Sequence, residues 1–243
     1  MQVQRILLGR AMMAETIRIN ENTWRIEDDG VRFFLLCGKE KAALIDTGMN
    51  TKNARAIAEG LTSLPTILVN THGDVDHIAG NGDFDACYMS AAEERNYRNN
   101  GGSTALIPVS EGDVIDLGGR ELLIIDIPGH TPGSIAILDV QNRVLISGDT
   151  VQDAHIFMFG EARDLNRYIE SLKHLAEYDG RYDAVYPMHG TFPVLPDLRA
   201  KLLEGAQSIV DKKASGKVVE VFGTKVYLYR FDYAAFLCDL PEG

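Results

Sequence analysis

The chain is expected to fold as a layered α/β protein, on three observations. Short β-branched runs alternate with segments of helical period, the pattern of stacked sheets and helices. Five polar stations (Asp46, the stretch 72–77, His130, Asp149 and His189) each follow directly on an apolar strand-like run, and layered α/β folds collect ligands at one edge of their strands. No composition break, linker or internal repeat divides the 243 residues, so a single domain over 1–243 is expected. Residues 1–14 have no clear period and read as a loose N-terminal extension.

Taken in order, short strands begin at Ile17. Trp24-Arg25-Ile26 leads through the turn Asp28-Asp29-Gly30 into the apolar run Val31–Cys37, and Gly38-Lys39-Glu40-Lys41 leads into Ala42–Ile45. This spacing is that of antiparallel hairpins. A helix is expected over 51–60, with Ala54, Ile57, Ala58 and Leu61 as its apolar face. After Pro65, Thr66–Val69 reads as a buried strand, and residues 87–89 as a short one. Ser90 with Glu93 makes a capping box for a polar helix to about Arg98. Residues 99–102 form a loop, and Gly112-Asp113 breaks the run 109–117. The turn Gly118-Gly119 opens a strand over 121–127. Residues 134–140 and 143–146 form a hairpin about Gln141-Asn142. Residues 155–160, rich in aromatics and Met, read as a loop. A helix over 164–178 stops at Asp179-Gly180, a strand over 184–188 follows, then a helix over 197–214, strands over 218–222 and 225–230, and an apolar run over 234–238.

Composition narrows the function. Lys and Arg number 24 against 35 Asp and Glu, a net charge of −11, which is the wrong footprint for a nucleic-acid partner and argues against an anionic membrane. Cys37, Cys87 and Cys238 are odd in number, far apart and without a CxxC pair, as in reduced core thiols. No apolar run has membrane-spanning length, and Ile6-Leu7-Leu8 is too short for a signal-peptide core. A cytoplasmic protein acting on a small-molecule substrate is the expectation. The oligomeric state stays open, a homodimer being one alternative.

The stretch His72-Gly73-Asp74-Val75-Asp76-His77 concentrates two imidazoles and two carboxylates at a strand end. Any two of these residues would read as a polar turn. Four together, with His130, Asp149 and His189 downstream, read as a site for divalent first-row metals, which take imidazole nitrogen and carboxylate oxygen.

These residues also carry a family resemblance. Leu44-Ile45-Asp46-Thr47-Gly48, His72-x-Asp74-x-Asp76-His77, Pro128-Gly129-His130-Thr131-Pro132-Gly133, Ser147-Gly148-Asp149-Thr150 and Met188-His189-Gly190 resemble, in family order, the metallo-β-lactamase superfamily of metal-dependent hydrolases. The resemblance implies a four-layer αββα sandwich with a two-metal site on one edge. It implies that His72, Asp74 and His130 hold one ion, that Asp76, His77 and His189 hold the other, and that Asp149 bridges them. It further implies that Asp76 orients the attacking hydroxide and passes its proton to the leaving group, a general acid–base role on top of ligation, and that Asp46 supports a ligand imidazole from behind, a capping role in the turn before Gly48 being the alternative.

Asp74 departs from the family's usual His-x-His-x-Asp-His. Carboxylate is a harder ligand than imidazole, which moves the preference from zinc towards iron or manganese, and its short reach leaves a mononuclear site open. The leading expectation is a hydrolase of an ester-like bond, a thioester or a lactone. The alternative is a di-iron redox module, similar to flavodiiron proteins, that reduces oxygen or nitric oxide with a separate electron donor. His155, Phe157 and Phe159 are candidate substrate contacts, with Met158 a further wall. Arg163 and Arg167 read as surface helix charges, holding a substrate carboxylate being the alternative, and His174 reads as an ordinary helix residue.

Overall fold

The computed structural model describes residues 3–4 and 14–240. The first eight strands form one sheet in chain order: β1 (Val3–Gln4), β2 (Glu15–Asn20), β3 (Thr23–Asp28), β4 (Val31–Cys37), β5 (Ala42–Ile45), β6 (Thr66–Val69), β7 (Ala86–Ser90) and β8 (Ala105–Val109). Strands β1 to β5 are antiparallel, as the hairpin spacing predicts, and β5 to β8 run parallel. Of the expected N-terminal extension, Val3–Gln4 adds an edge strand to β2, and residues 5–13 lie outside the described residues. A second sheet has the order β14-β12-β11-β10-β9, from β9 (Val114–Asp116), β10 (Glu121–Asp126), β11 (Ile135–Asp139), β12 (Val144–Ile146) and β14 (Ala184–Tyr186). A third has the order β13-β17-β16-β15, from β13 (His155–Met158), β15 (Lys217–Val221), β16 (Thr224–Arg230) and β17 (Ala235–Cys238).

Strand alternation sorts the core into layers. In β4, Phe33, Leu35 and Cys37 pack with Ala54, Ile57 and Ala58 of α1 (Ala54–Leu61) and with Tyr97 of α2 (Glu94–Asn99). Phe34 and Leu36 point the other way, against Ile124, Ile135, Ile137 and Ile146 of the second sheet. The opposite face of that sheet, with Ile125, Ala136, Leu138 and Leu145, is covered by Tyr168, Ile169 and Leu172 of α3 (Leu165–Leu175) and Leu198, Leu202 and Ala206 of α4 (Leu198–Val210). The result is helices, sheet, sheet, helices: the expected αββα sandwich. Cys37, Cys87 and Cys238 are all buried free thiols.

Two local expectations need correction, and residues 103–108, assigned to no element above, supply most of β8, where the sheet tolerates Pro108 because β8 is an edge. The Gly112-Asp113 break carries the chain from the first sheet to the second. Residues 155–158 are not loop: β13 pairs in parallel with β17, from His155 opposite Ala235 to Met158 opposite Cys238, a partner too distant for local periodicity to reveal. Helix α1 starts at Ala54 rather than 51, because the backbone N–H groups of Met49, Asn50 and Thr51 all donate to the Asp28 carboxylate, which shapes that segment as a turn.

Candidate metal centre

All five polar stations reach one edge of the sandwich. Asp46 follows β5 and residues 72–77 follow β6 in the first sheet. His130, Asp149 and His189 follow β10, β12 and β14 in the second. Two backbone hydrogen bonds join the sheets at this edge, from Ile135 N–H to the Thr71 carbonyl and from Arg32 N–H to the Met188 carbonyl, each 2.9 Å. The strand ends therefore converge.

The convergence gives two triads. Donor atoms of His72, Asp74 and His130 lie within 4.8 Å of one another, and so do those of Asp76, His77 and His189. Asp149 stands between them: Oδ1 is 3.5 Å from His77 Nε2, while Oδ2 is 3.7 Å from His130 Nε2 and 3.5 Å from His189 Nε2. The seven residues that the sequence nominated as ligands are thus one cluster.

The four imidazoles have a common tautomer. His130 Nδ1 lies 3.2 Å from the Phe157 carbonyl and His189 Nδ1 lies 2.9 Å from the Gly30 carbonyl; a carbonyl only accepts, so Nδ1 carries the proton in both. His77 Nδ1 donates to Asp46 Oδ2 at 2.9 Å. Thr71 Oγ1 spends its proton on Asp46 Oδ2, at 2.7 Å, and therefore accepts from His72 Nδ1 at 3.0 Å. In this tautomer every Nε2 offers a lone pair to the centre. His72 Nε2, His77 Nε2, His130 Nε2 and Asp149 Oδ1 are buried without a hydrogen-bond partner. Buried polar atoms rarely stay unsatisfied, and four orphans converging on two triads make a donor set able to hold metal. The residues fit the implied metals.

Electrostatics point the same way. Burial raises the Asp76 and Asp149 carboxyls, but His77 and His189 outweigh it and hold both below the usual range. Burial lowers the His77 imidazole, but Asp76, Asp149 and Asp46 override it and push it up to about 10. The carboxylates thus create a field that favours positive charge at His77 Nε2. At His130, burial and the neighbouring Arg163 guanidinium lower the pKa, which keeps that ring in the neutral, ligating form.

The profile of the metallo-beta-lactamase superfamily matches residues 26–189, the segment that supplies all of these side chains. The chain belongs to the metallo-beta-lactamase superfamily. Among curated members of the superfamily, it is 33% identical over 157 residues to a hydroxyacylglutathione hydrolase of Francisella tularensis, a match covering 64% of this chain and 61% of that one. It is 26% identical over 200 residues to the human acyl-coenzyme A thioesterase MBLAC2, covering 64% of this chain and 71% of that one. The matched region thus spans about three fifths of the hydroxyacylglutathione hydrolase. Among solved structures, a metallo-beta-lactamase from Pontibacter korlensis superposes with a TM-score of 0.70 at 20% identity, over 80% of this chain and 99% of its own. One from Erythrobacter litoralis gives 0.65 at 15% identity, over 84% and 100%. These two likenesses concern the fold.

The remaining candidates separate clearly. Asp46 is fully buried behind His77 and Thr71, away from the opening. Asp76 faces a hollow of about 500 Å³ together with Asp74, Asp149 and His189. His155, exposed on β13, and Phe157 line the same hollow. Phe159 lines a neighbouring hollow of about 590 Å³ that shares Asp74, Asn100 and Arg163 with the first. Met158 is not a wall: strand alternation turns it into the core. Arg163 is not a surface charge, since its Nη2 is paired with Asp74 Oδ2. Arg167 is one, exposed and paired with Asp164, and His174 meets Glu111 away from the centre.

Two further residues escaped the sequence reading. Glu93 is fully buried, and its carboxylate accepts from Gly73 N–H (3.0 Å), Gly133 N–H (2.8 Å) and Asn96 Nδ2 (2.6 Å). It does not close a capping box on Ser90; it ties the loop of His72 to the loop of His130. Side chains are excluded at both glycines: an added Cβ would lie 2.8 Å from Tyr97 Cα at Gly73 and 2.5 Å from the Glu93 nitrogen at Gly133. Phe222 occupies the two-residue turn between β15 and β16 at φ 50, followed by Gly223 at φ 77. Such turns favour Asn or Gly at the first position. The aromatic there is 89% exposed, lines the hollow and stacks on Phe157 at 6.2 Å.

Proposed function

We propose that this chain is a metal-dependent hydrolase of thioesters, with lactones as the neighbouring substrate class. The observation that carries the reading is the pair of His/Asp triads joined by Asp149, with four imidazoles fixed in one tautomer. When bound, divalent ions would supply polarisation of the substrate carbonyl and a lowered pKa for a bound water. The proposed ligands are His72, Asp74 and His130 on one side, Asp76, His77 and His189 on the other, and Asp149 between. Asp76 is the proposed base: it opens to the hollow, is held ionised by His77 and His189, and lies 3.1 Å from His189 Nε2. It takes the proton of the attacking water as the carbon–oxygen bond forms and the carbon–sulfur bond breaks, the electron pair leaving on the thiolate. Asp46 is a positioning residue, acting through His77.

A thioester is supported by the two relatives, a hydroxyacylglutathione hydrolase and an acyl-coenzyme A thioesterase, and by the walls of the hollow. Met49, Val75 and Phe222, three large apolar side chains left substantially exposed, all border it beside Phe157. An apolar acyl group has surface to cover there. The di-iron reading has Asp74 as its support, and Asp74 is held by Arg163 and Asn96. The proposed ions are zinc, with iron or manganese as the alternatives that a carboxylate ligand favours. A panel of thioester, lactone, oxygen ester, phosphodiester and sulfate ester tests the proposal on metal-loaded protein. Turnover of the thioester is expected, and inactivity across the panel with metal bound would overturn it.

A further inference from the structure

The two triads resemble each other in composition but not in what surrounds them. In the Asp76–His77–His189 half, Asp76 Oδ2 meets only the imidazoles of His77 and His189, at 3.6 and 3.1 Å, and His77 is backed by the Asp46 carboxylate. In the other half, both oxygens of Asp74 are already engaged. Oδ1 accepts from Asn96 Nδ2 at 3.0 Å, and Oδ2 is paired with Arg163 Nη2 while standing 3.3 Å from His130 Nε2 and 3.6 Å from His72 Nε2. Among the described residues, Asp74 alone of the three carboxylates of the centre carries an arginine. The partner is largely buried: the Arg163 and Asp74 side chains are 14% and 15% exposed.

Charge decides the consequence. A divalent ion entering the Asp76 half meets an uncompensated carboxylate, with Asp46 adding negative charge from behind. An ion entering the Asp74 half meets a carboxylate whose charge is already cancelled, and a guanidinium that repels it across a few ångströms of poorly screened space. To coordinate Oδ2, the ion must displace Arg163 into the hollow. We propose that the centre loads in sequence: the Asp76–His77–His189 half first and tightly, the His72–Asp74–His130 half second and weakly, with Arg163 as the competitor that sets the gap. The inference rests on the metal reading proposed above, and extends it to the order of uptake.

Calorimetric titration of metal-stripped protein with Zn²⁺, in the presence of a competing chelator, tests it. The wild type is expected to show two events whose affinities differ by at least about tenfold. Arg163→Met should tighten the weak event by at least about tenfold and leave the tight one in place, and Asp74→Asn should remove the weak event alone. The tight event reports in each variant that the fold is intact. Two equal events in the wild type, an unchanged gap in Arg163→Met, or loss of the tight event in Asp74→Asn would overturn the order of uptake while leaving the metal reading standing. Absence of any Zn²⁺ binding would instead overturn the metal reading itself, and the loading order with it.

Discussion

Glu93 shows how much of the centre depends on a residue that touches none of the ligands. Its carboxylate satisfies the Gly73 and Gly133 N–H groups and so fixes the distance between the His72 and His130 loops. Removing a buried acceptor leaves donors unsatisfied at about 1–3 kcal/mol each. Glu93→Ala should therefore destabilise the protein by about 3 kcal/mol or more, measured by urea unfolding, and should weaken metal binding by misplacing both rings. At Asp46 the substitution is subtler. Asp46→Asn keeps the shape but removes the charge behind His77, and the expected result is a 10–100-fold loss of metal affinity, of the order seen for such supporting groups. The carboxylate accepts from Asn70, from the Thr71 N–H and hydroxyl and from His77, so the amide N–H groups would face donors and a lower melting temperature is expected as well; metal affinity unchanged in the folded variant would leave Asp46 with a structural role alone. At this scale, legibility followed position: Asp46, Asp149 and the four histidines announced themselves as polar residues directly after apolar strands. Glu93 and Arg163 did not, because one sits in a short helical turn and the other in the loop before α3, and each acquires its role from a partner 20 residues away or more.

Among the elements, the turn joining β15 and β16 carries a conformational cost beside the hollow. An L-residue other than Asn or Gly in the left-handed region is disfavoured by roughly 1 kcal/mol, and Phe222 accepts that at a position where its ring overhangs the hollow. If the ring contacts the acyl group, Phe222→Ala should raise KM for an apolar acyl thioester about fivefold, from loss of about 1 kcal/mol of apolar contact, and leave kcat nearly unchanged. Equal KM values for the two proteins would leave the ring without that role. At the end of β10, Asp126 Oδ1 is buried without a partner, and burial together with Glu111 raises its carboxyl. A folded pKa above the unfolded value means stability that is full below about pH 4 and is lost as pH rises through the folded value. Asp126→Asn should thus raise the melting temperature at pH 7, and the advantage should vanish near pH 3, as followed by thermal melts across that range. Elements with a clear local period were legible, such as β4, α3 and the strand over Thr66–Val69. Those defined by a distant partner were not: β13 needs β17, and β8 needs the edge of the first sheet to accommodate Pro108.

For the molecule as a whole, a layered α/β fold with its strand ends at one edge followed from sequence once those ends were seen to carry one set of ligands, because a composite site requires them to share an edge. The resemblance supplied the αββα arrangement, and the three core clusters of the sandwich realise it. What could not be read was the balance of charge within the centre. The chain carries a net −11, yet a single guanidinium, placed by folding, makes one half of the site unlike the other. Among the described residues no helix is long and apolar enough to cross a membrane.

The central claim is that this cluster of histidines and aspartates, loaded with metal, cleaves thioesters. The most direct measurement follows free-thiol release from a hydroxyacylglutathione and from a medium-chain acyl-coenzyme A, comparing metal-loaded wild type, the same protein stripped by chelator and reloaded, and Asp149→Ala. The account predicts thiol release by the loaded protein, loss on stripping, recovery on reloading, and at least a thousandfold loss (~4 kcal/mol of barrier) in Asp149→Ala. Thiol release that survives both stripping and the substitution would contradict it, and so would a fully loaded protein that releases no thiol from either substrate.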